Sequence, residues 1–157
     1  MTGRVAALHG RARYPRSTVG HSETTLVICK PDAVERGLVG EILGRLERRG
    51  LRLVRAELRT IDNETAARHY AEHVGKSFYD NLILHITRGP VLLAVVEGPE
   101  GAWQVVRQMM GATNPAQAAP GTIRGDLALS MTENVIHGSD GAESARREIA
   151  LFFPELA

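Results

Sequence analysis

Asn134-Val135-Ile136-His137-Gly138-Ser139-Asp140 sets one imidazole at the end of a short apolar run, then a glycine, then two residues suited to starting a helix. This is the signature of a strand passing into a helix, and it orders the rest of the chain around it. Downstream, residues 141–152 read as a final helix whose buried stripe is Ala142, Ala145 and Ile149. Upstream, Gly111 to Asp126 shows no period and is punctuated by Pro115, Pro120, Gly121 and Gly125, so it reads as a long loop, functional or disordered. Before it, Pro99 opens a helix with Ala102, Val106, Met109 and Met110 facing inward, and Val91 to Val96 is a central strand entered through Gly89-Pro90.

The first half alternates in the same way. Thr24 to Cys29 reads as a buried strand, and Val39, Ile42, Leu43 and Leu46 recur at helical spacing until Gly50 stops them. Leu51, Leu53, Ala56 and Leu58 mark a second strand. Asp62 or Asn63 caps a helix with Ala66, Ala67, Tyr70, Ala71 and Val74 as its stripe, and Phe78, Leu82 and Ile86 follow at intervals of four. Strands alternating with helices imply a single α/β layered domain with helices packed on a sheet.

Composition narrows the class. The chain has 157 residues, 43% hydrophobic and 24% charged, enough for one domain with a real core. The longest apolar stretches run about six residues, far short of a bilayer span of roughly 20. A lone cysteine, Cys29, excludes an intrachain disulfide and reads as a small core residue, so a reducing, cytoplasmic setting is expected. Net charge is +1, yet residues 1–22 hold Arg4, Arg11, Arg13 and Arg16 without an acid, leaving the remainder at −3. A mildly acidic body argues against a dedicated nucleic-acid binder. The opening 22 residues, with Gly10, Pro15 and Gly20, read as a disordered basic extension or an early start; a transit peptide is the sharper alternative.

His137 suits nucleophilic chemistry. A free imidazole has a pKa near ~6.5, so about three quarters of it is neutral at pH 7, and it needs an orienting partner more than a strong base. Phosphorylated imidazole is itself a good donor, which fits two half-reactions through a covalent intermediate. Glu148, three residues after Ala145 at the edge of the final helix's stripe, can reach inward to fix the tautomer; spacing equally allows a solvated glutamate paired with Ser144 or Arg147. No GxxxxGK[ST] loop is present, so phosphate must be gripped by separate groups. Lys30, directly after the first strand, lies at the sheet's carboxyl edge where ligands bind. Arg107 on its helix and Arg124 within Pro120-Gly121-Thr122-Ile123-Arg124-Gly125-Asp126 add guanidinium forks. His69 and His73 lack the HExxH pattern and a third ligand, and read as the solvated flank of their helix.

From Thr24 to about Pro154, some 131 of 157 residues, the chain resembles nucleoside diphosphate kinases. The matching phrases are Lys30-Pro31-Asp32, Arg36-Gly37-Leu38-Val39-Gly40-Glu41, His69-Tyr70, Gly89-Pro90-Val91, Gly111-Ala112-Thr113-Asn114-Pro115, the Pro120–Asp126 phrase and the Asn134–Asp140 phrase. The resemblance implies a ferredoxin-like antiparallel sheet covered by helices, spanning residues 23–157. It implies that His137 carries the γ-phosphoryl group from a nucleoside triphosphate to a nucleoside diphosphate. Lys30, Arg107, Thr113, Arg124 and Asn134 would hold phosphates and sugar. Phe78 would stack on the base with Leu82 lining the slot, and Tyr70, Ser139 and Glu148 would support the histidine. Mg2+ would bind through phosphate oxygens, with no dedicated protein metal ligand. A homo-oligomer, hexamer or tetramer, is implied as well. Ala33 replaces a glycine common in the family and Ser77 a proline, and the chain stops soon after Phe152-Phe153-Pro154. Three rivals remain: a non-catalytic regulatory or interaction protein of the same fold, a nucleic-acid binder acting through the arginine-rich start, and a histidine phosphocarrier for protein partners.

Overall fold

The computed structural model describes residues 22–157. The expectations for the basic extension, residues 1–22, lie outside the described residues except at Ser22, which opens the first strand two residues before the expected Thr24. Strand β1 (Ser22–Cys29) pairs antiparallel with β3 (Pro90–Pro99), from Ser22 opposite Pro99 to Cys29 opposite Leu92. On the far side of β3 lies β2 (Arg52–Thr60), antiparallel, with a bulge between Leu53 and Arg55. On the far side of β1 lies β4 (Ile136–Gly138), antiparallel again. The order β2-β3-β1-β4 is that of a ferredoxin-like sheet.

Among the described residues seven α-helices accompany it: α1 (Pro31–Glu35), α2 (Val39–Arg48), α3 (Asn63–His69), α4 (Tyr79–Thr87), α5 (Ala102–Met110), α6 (Ile123–Leu127) and α7 (Ala142–Phe152). The strand period of two sends successive side chains to opposite faces. Val27, Cys29, Ala94 and Val96 meet Ile42 and Leu46 of α2 and Val106 and Met110 of α5 on one face. Leu26, Ile28, Leu93 and Val95 meet Ala66 of α3, Ile86 of α4, and Ile149 and Phe152 of α7 on the other. Both faces are therefore buried, which is why β1 and β3 read as unbroken apolar runs. Cys29 is fully buried, and burial pushes its thiol up to about 12, as suits a core side chain.

Several elements differ from the sequence reading. Pro99 ends β3 rather than opening a helix, and α5 starts at Ala102 behind Gly101, whose φ is 81°. The stripe drawn through Val74 stops early: α3 ends at His69, a 3-10 turn spans Ala71–His73, and Val74 is 66% exposed. Inside the aperiodic loop, α6 forms because the Thr122 hydroxyl accepts the Gly125 N–H at 3.0 Å, a cap that five helical residues suffice to use. A Cβ on Gly125 would stand 2.0 Å from the Ala119 carbonyl oxygen, so glycine is obligatory there. Neither Ser139 nor Asp140 caps α7; its N-cap is Gly141, and Asp140 instead accepts the Ser144 hydroxyl. Finally, β4 starts at Ile136, because Val135 adopts φ 62° and belongs to a turn.

Candidate active site

β4 places Ile136 in the α2/α5 core, so the strand period turns His137 to the α3/α4/α7 face. Gly138 lets the strand come close to α5: an added Cβ would stand 2.6 Å from Met110 Sδ and 3.0 Å from Val106 Cγ1. His137 keeps 24% of its side chain exposed, so the ring is accessible to a ligand. Its Nε2 lies 3.2 Å from each oxygen of Glu148, which points inward from α7. The Ser139 hydroxyl donates to Glu148 Oε2 at 2.6 Å. Burial alone would raise the Glu148 carboxyl, but the bonds from His137 and Ser139 and the charge of His137 outweigh it and hold the group at about 2. An ionised carboxylate only accepts, so Nε2 carries the hydrogen and Nδ1 keeps its lone pair. The inward reading of Glu148 holds; the solvated pairing with Ser144 or Arg147 does not occur.

His69 corrects the sequence reading. It is 5% exposed, not on a solvated flank, and its ring meets that of His137 edge-on at 4.7 Å, that of Tyr70 at 4.5 Å and that of Phe152 at 5.3 Å. Burial, then the neighbouring His137, lowers its pKa to about 3, so it forms a neutral wall behind the site. Ala66 and His69 are the buried residues of α3, three apart on one face, so helical spacing from Ala66 was the available signal. Donor atoms of His69, His137 and Glu148 lie within 4.8 Å of one another. His137 Nε2 stands 3.2 Å from Glu148, and His69 Nδ1 stands 3.9 Å from Glu148 Oε1. Glu148 is already engaged by His137 and Ser139, and His69 packs against the His137 ring without a hydrogen bond of its own.

Two guanidinium groups grip the strand on either side of the imidazole. Arg124 Nη2 donates to the Ile136 carbonyl at 2.7 Å, its Nη1 to Gly111 at 3.3 Å and its Nε to Asn134 at 3.4 Å. Arg107 Nη1 reaches the Gly138 carbonyl at 3.5 Å. Burial and the charge of Arg107 lower Arg124 to about 10, which leaves it charged at neutral pH. Lys30 is 4% exposed and donates to Asn134 Oδ1 at 2.8 Å and the Thr132 carbonyl at 2.9 Å. Burial lowers it to about 8, partly offset by Asp32. Asn134 in turn donates to the Thr113 carbonyl at 3.5 Å, so Lys30, Thr113, Arg124 and Asn134 form one connected group; the Thr113 side chain itself is exposed.

Phe78 stands apart, N-terminal to α4 and 47% exposed, with the His73 ring 5.6 Å away and Lys76 Nζ 5.7 Å above its face. Leu82, one turn on, is half-buried against the α3/α4/α7 core. Tyr70 is 7% exposed, and burial raises its hydroxyl pKa strongly, so it stays protonated.

The ferredoxin-like sheet thus presents, on its short edge strand, a histidine bonded to a buried carboxylate and flanked by two guanidinium groups. The family model for nucleoside diphosphate kinase matches residues 23–157, and the chain belongs to that family. It is 62% identical over 133 residues to a nucleoside diphosphate kinase of Thermomicrobium roseum, covering 85% of this chain and 89% of the relative. It is 59% identical over 136 residues to that of Saccharopolyspora erythraea, covering 86% and 99%. Among solved structures it is similar to the Halobacterium salinarum nucleoside diphosphate kinase in complex with CDP, at 52% identity and a TM-score of 0.80 over 85% of this chain and 88% of that one. The Aquifex aeolicus nucleoside diphosphate kinase matches at 36% identity and a TM-score of 0.82, over 87% and 98%. Among the described residues no helix is long and apolar enough to cross a membrane.

Proposed function

We propose that this chain is a nucleoside diphosphate kinase working by two half-reactions through His137. The Nδ1 lone pair attacks the γ-phosphorus of a nucleoside triphosphate, and the bond from that phosphorus to the bridging oxygen breaks. The diphosphate leaves with that electron pair. A second nucleoside diphosphate then attacks the phosphohistidine, and the nitrogen recovers its lone pair. The observation that carries this reading is the geometry at His137: Nε2 bonded to Glu148, with Arg124 and Arg107 on the carbonyls to either side.

The remaining roles are those the family resemblance implies for these positions. Lys30, Arg107, Thr113, Arg124 and Asn134 hold phosphate and sugar oxygens, each charge-assisted bond contributing roughly 1.5–3 kcal/mol. Phe78 stacks on the base and Leu82 lines the slot; a stacking face without edge hydrogen bonds tolerates many bases. Ser139 and Glu148 fix the imidazole, and Tyr70 packs beside it. Glu148 is engaged by His137 and Ser139 and Asp32 by His85 and Val135, so neither carboxylate is free to coordinate a cation. Mg2+ would therefore be held by the nucleotide's own phosphate oxygens and would offset charge developing there. The exposed Leu58 and Val54 on the edge strand β2 favour assembly into a homo-oligomer, with a hexamer expected and a tetramer next. Sedimentation distinguishes them. The cytoplasm remains the expected compartment.

The decisive experiment mixes the protein with γ-labelled ATP, removes the nucleotide and adds GDP. An acid-labile, base-stable phosphoprotein that yields labelled GTP is expected. His137→Ala should remove both steps, with turnover falling on the order of 10⁴-fold or more and the fold intact. Retained turnover in that variant would falsify the assignment. A phosphoprotein that cannot pass its label to GDP would instead mark a phosphocarrier.

A further inference from the structure

Val135, two residues before the nucleophile, is the only non-glycine residue with positive φ among the described residues. The Ile136 N–H donates to the Asn134 carbonyl at 2.8 Å across it, closing a γ-turn of the rarer, strained hand. For a β-branched residue that conformation persists only where the surroundings over-determine it. Both backbone polar groups of Val135 are tied to one short segment. Its carbonyl accepts the Lys30 N–H at 2.9 Å, and its N–H donates to Asp32 Oδ2 at 3.0 Å. The other Asp32 oxygen meets His85 Nε2 of α4 at 3.0 Å. All three side chains are buried, at 0% for Val135, 2% for Asp32 and 4% for His85. Burial alone would raise the Asp32 carboxyl; the bond from His85, the Lys30 charge and the Val135 N–H overcome it and hold the group ionised.

We infer that His85 is a positioning residue for phosphoryl transfer: through Asp32 it holds the Val135 turn that sets His137 against Glu148. This rests on the phosphohistidine reading above. His85 Nδ1 has no partner, so the ring's one buried polar commitment is to Asp32. Without that donor the carboxylate can rotate, and its grip on the Val135 N–H slackens. Val135 then relaxes toward extended backbone. A rotation there re-aims the next two residues, and because β4 is only three residues long its ladder cannot resist. The 3.2 Å contact of His137 with Glu148, and with it the tautomer, is what such a rotation loses.

The test compares His85→Phe, which keeps the ring and removes the donor, with His85→Gln, which restores an N–H near the Nε2 position. Single-turnover phosphorylation by γ-labelled ATP at saturating nucleotide is measured beside ADP affinity by calorimetry. Ring 15N shifts of His137 report its tautomer. His85→Phe should form phosphohistidine on the order of 10- to 100-fold more slowly, the scale of a small misplacement of a reacting group. ADP affinity should change less than about twofold, the Nε2–H tautomer should lose population, and His85→Gln should recover most of the rate. A folded His85→Phe protein that is phosphorylated at the unaltered rate, or whose deficit lies wholly in ADP affinity, overturns the inference and leaves the kinase reading standing. Should His85→Phe fail to fold, Asp32→Asn must show the rate deficit, and a normal rate there is equally fatal. If the unaltered protein forms no phosphohistidine, both readings fall together.

Discussion

β1 meets β3 through eight consecutive residue pairs, whereas β4 meets β1 through three. The long ladder is held by its own backbone bonds and by apolar side chains on both faces. The short one is held largely by side chains brought from elsewhere: Asp32 on the Val135 N–H, Arg124 on the Ile136 carbonyl and Arg107 on the Gly138 carbonyl. A strand that cannot stabilise itself becomes the place where the chain's charged groups converge. The same two guanidinium groups then flank the imidazole along the strand. Regularity builds the scaffold, and its absence at one edge builds the site.

If the two regions differ in this way, substitutions should separate stability from chemistry. The largest expected stability effect is in the ladder. Leu93→Ala, at a fully buried position of β3, should cost about 2–5 kcal/mol by denaturant unfolding and leave turnover near normal where the protein remains folded. A turnover loss in the folded variant would mean that the ladder and the site are not separable.

Next comes Arg124→Ala. Its guanidinium holds three carbonyls, so removing it should lower kcat/KM by roughly 10- to 100-fold per lost charge-assisted contact with phosphate. It should also cost some stability, unlike a change at a purely ligand-facing group. Arg107→Ala, whose one protein contact is long and whose side chain is exposed, should lower kcat/KM with almost no stability change. Equal stability losses in the two variants would contradict the picture of a strand pinned mainly by Arg124.

The effect smallest at neutral pH, where nothing in it titrates, is a pH dependence confined to the site. His69 has a folded pKa of about 3, and an unfolded value near ~6.5. The unfolded state therefore binds a proton first, and this contribution is complete above ~6.5 and lost as pH falls toward 3. Glu148, held at about 2, acts in the same direction: its contribution is present above the ordinary glutamate value of 4.5 and fades as pH falls to about 2. Stability should thus decline steadily on the acid side, and His69→Phe should flatten the upper part of that decline. An unchanged acid profile in His69→Phe would show that the buried imidazole is not its source.

Much was legible without coordinates, for reasons visible in particular residues. β1 and β3 announce themselves because burial on both faces demands continuous apolar runs, and α2 because its inner stripe ends at Gly50. Glu148 was readable as a border residue, but its inward turn depends on meeting His137 and Ser139 from another element. His69 differs from its expected solvated place because the absence of a zinc pattern says nothing about burial, and its i, i+3 spacing from Ala66 puts it on the inner face. Asp32 and His85 were passed over in the sequence, since 53 positions separate them and neither breaks a pattern.

By itself the order of residue types determined the layered α/β scheme, the lone histidine at a strand–helix junction and the absence of a glycine-rich phosphate loop, because periodicity and turn chemistry are local properties. Tertiary structure alone decided which nitrogen of His137 is free, which carboxylate supports it and how Val135 is held in its strained turn. Those outcomes depend on hydrogen bonds between groups far apart in the chain, whose strength comes from being buried together.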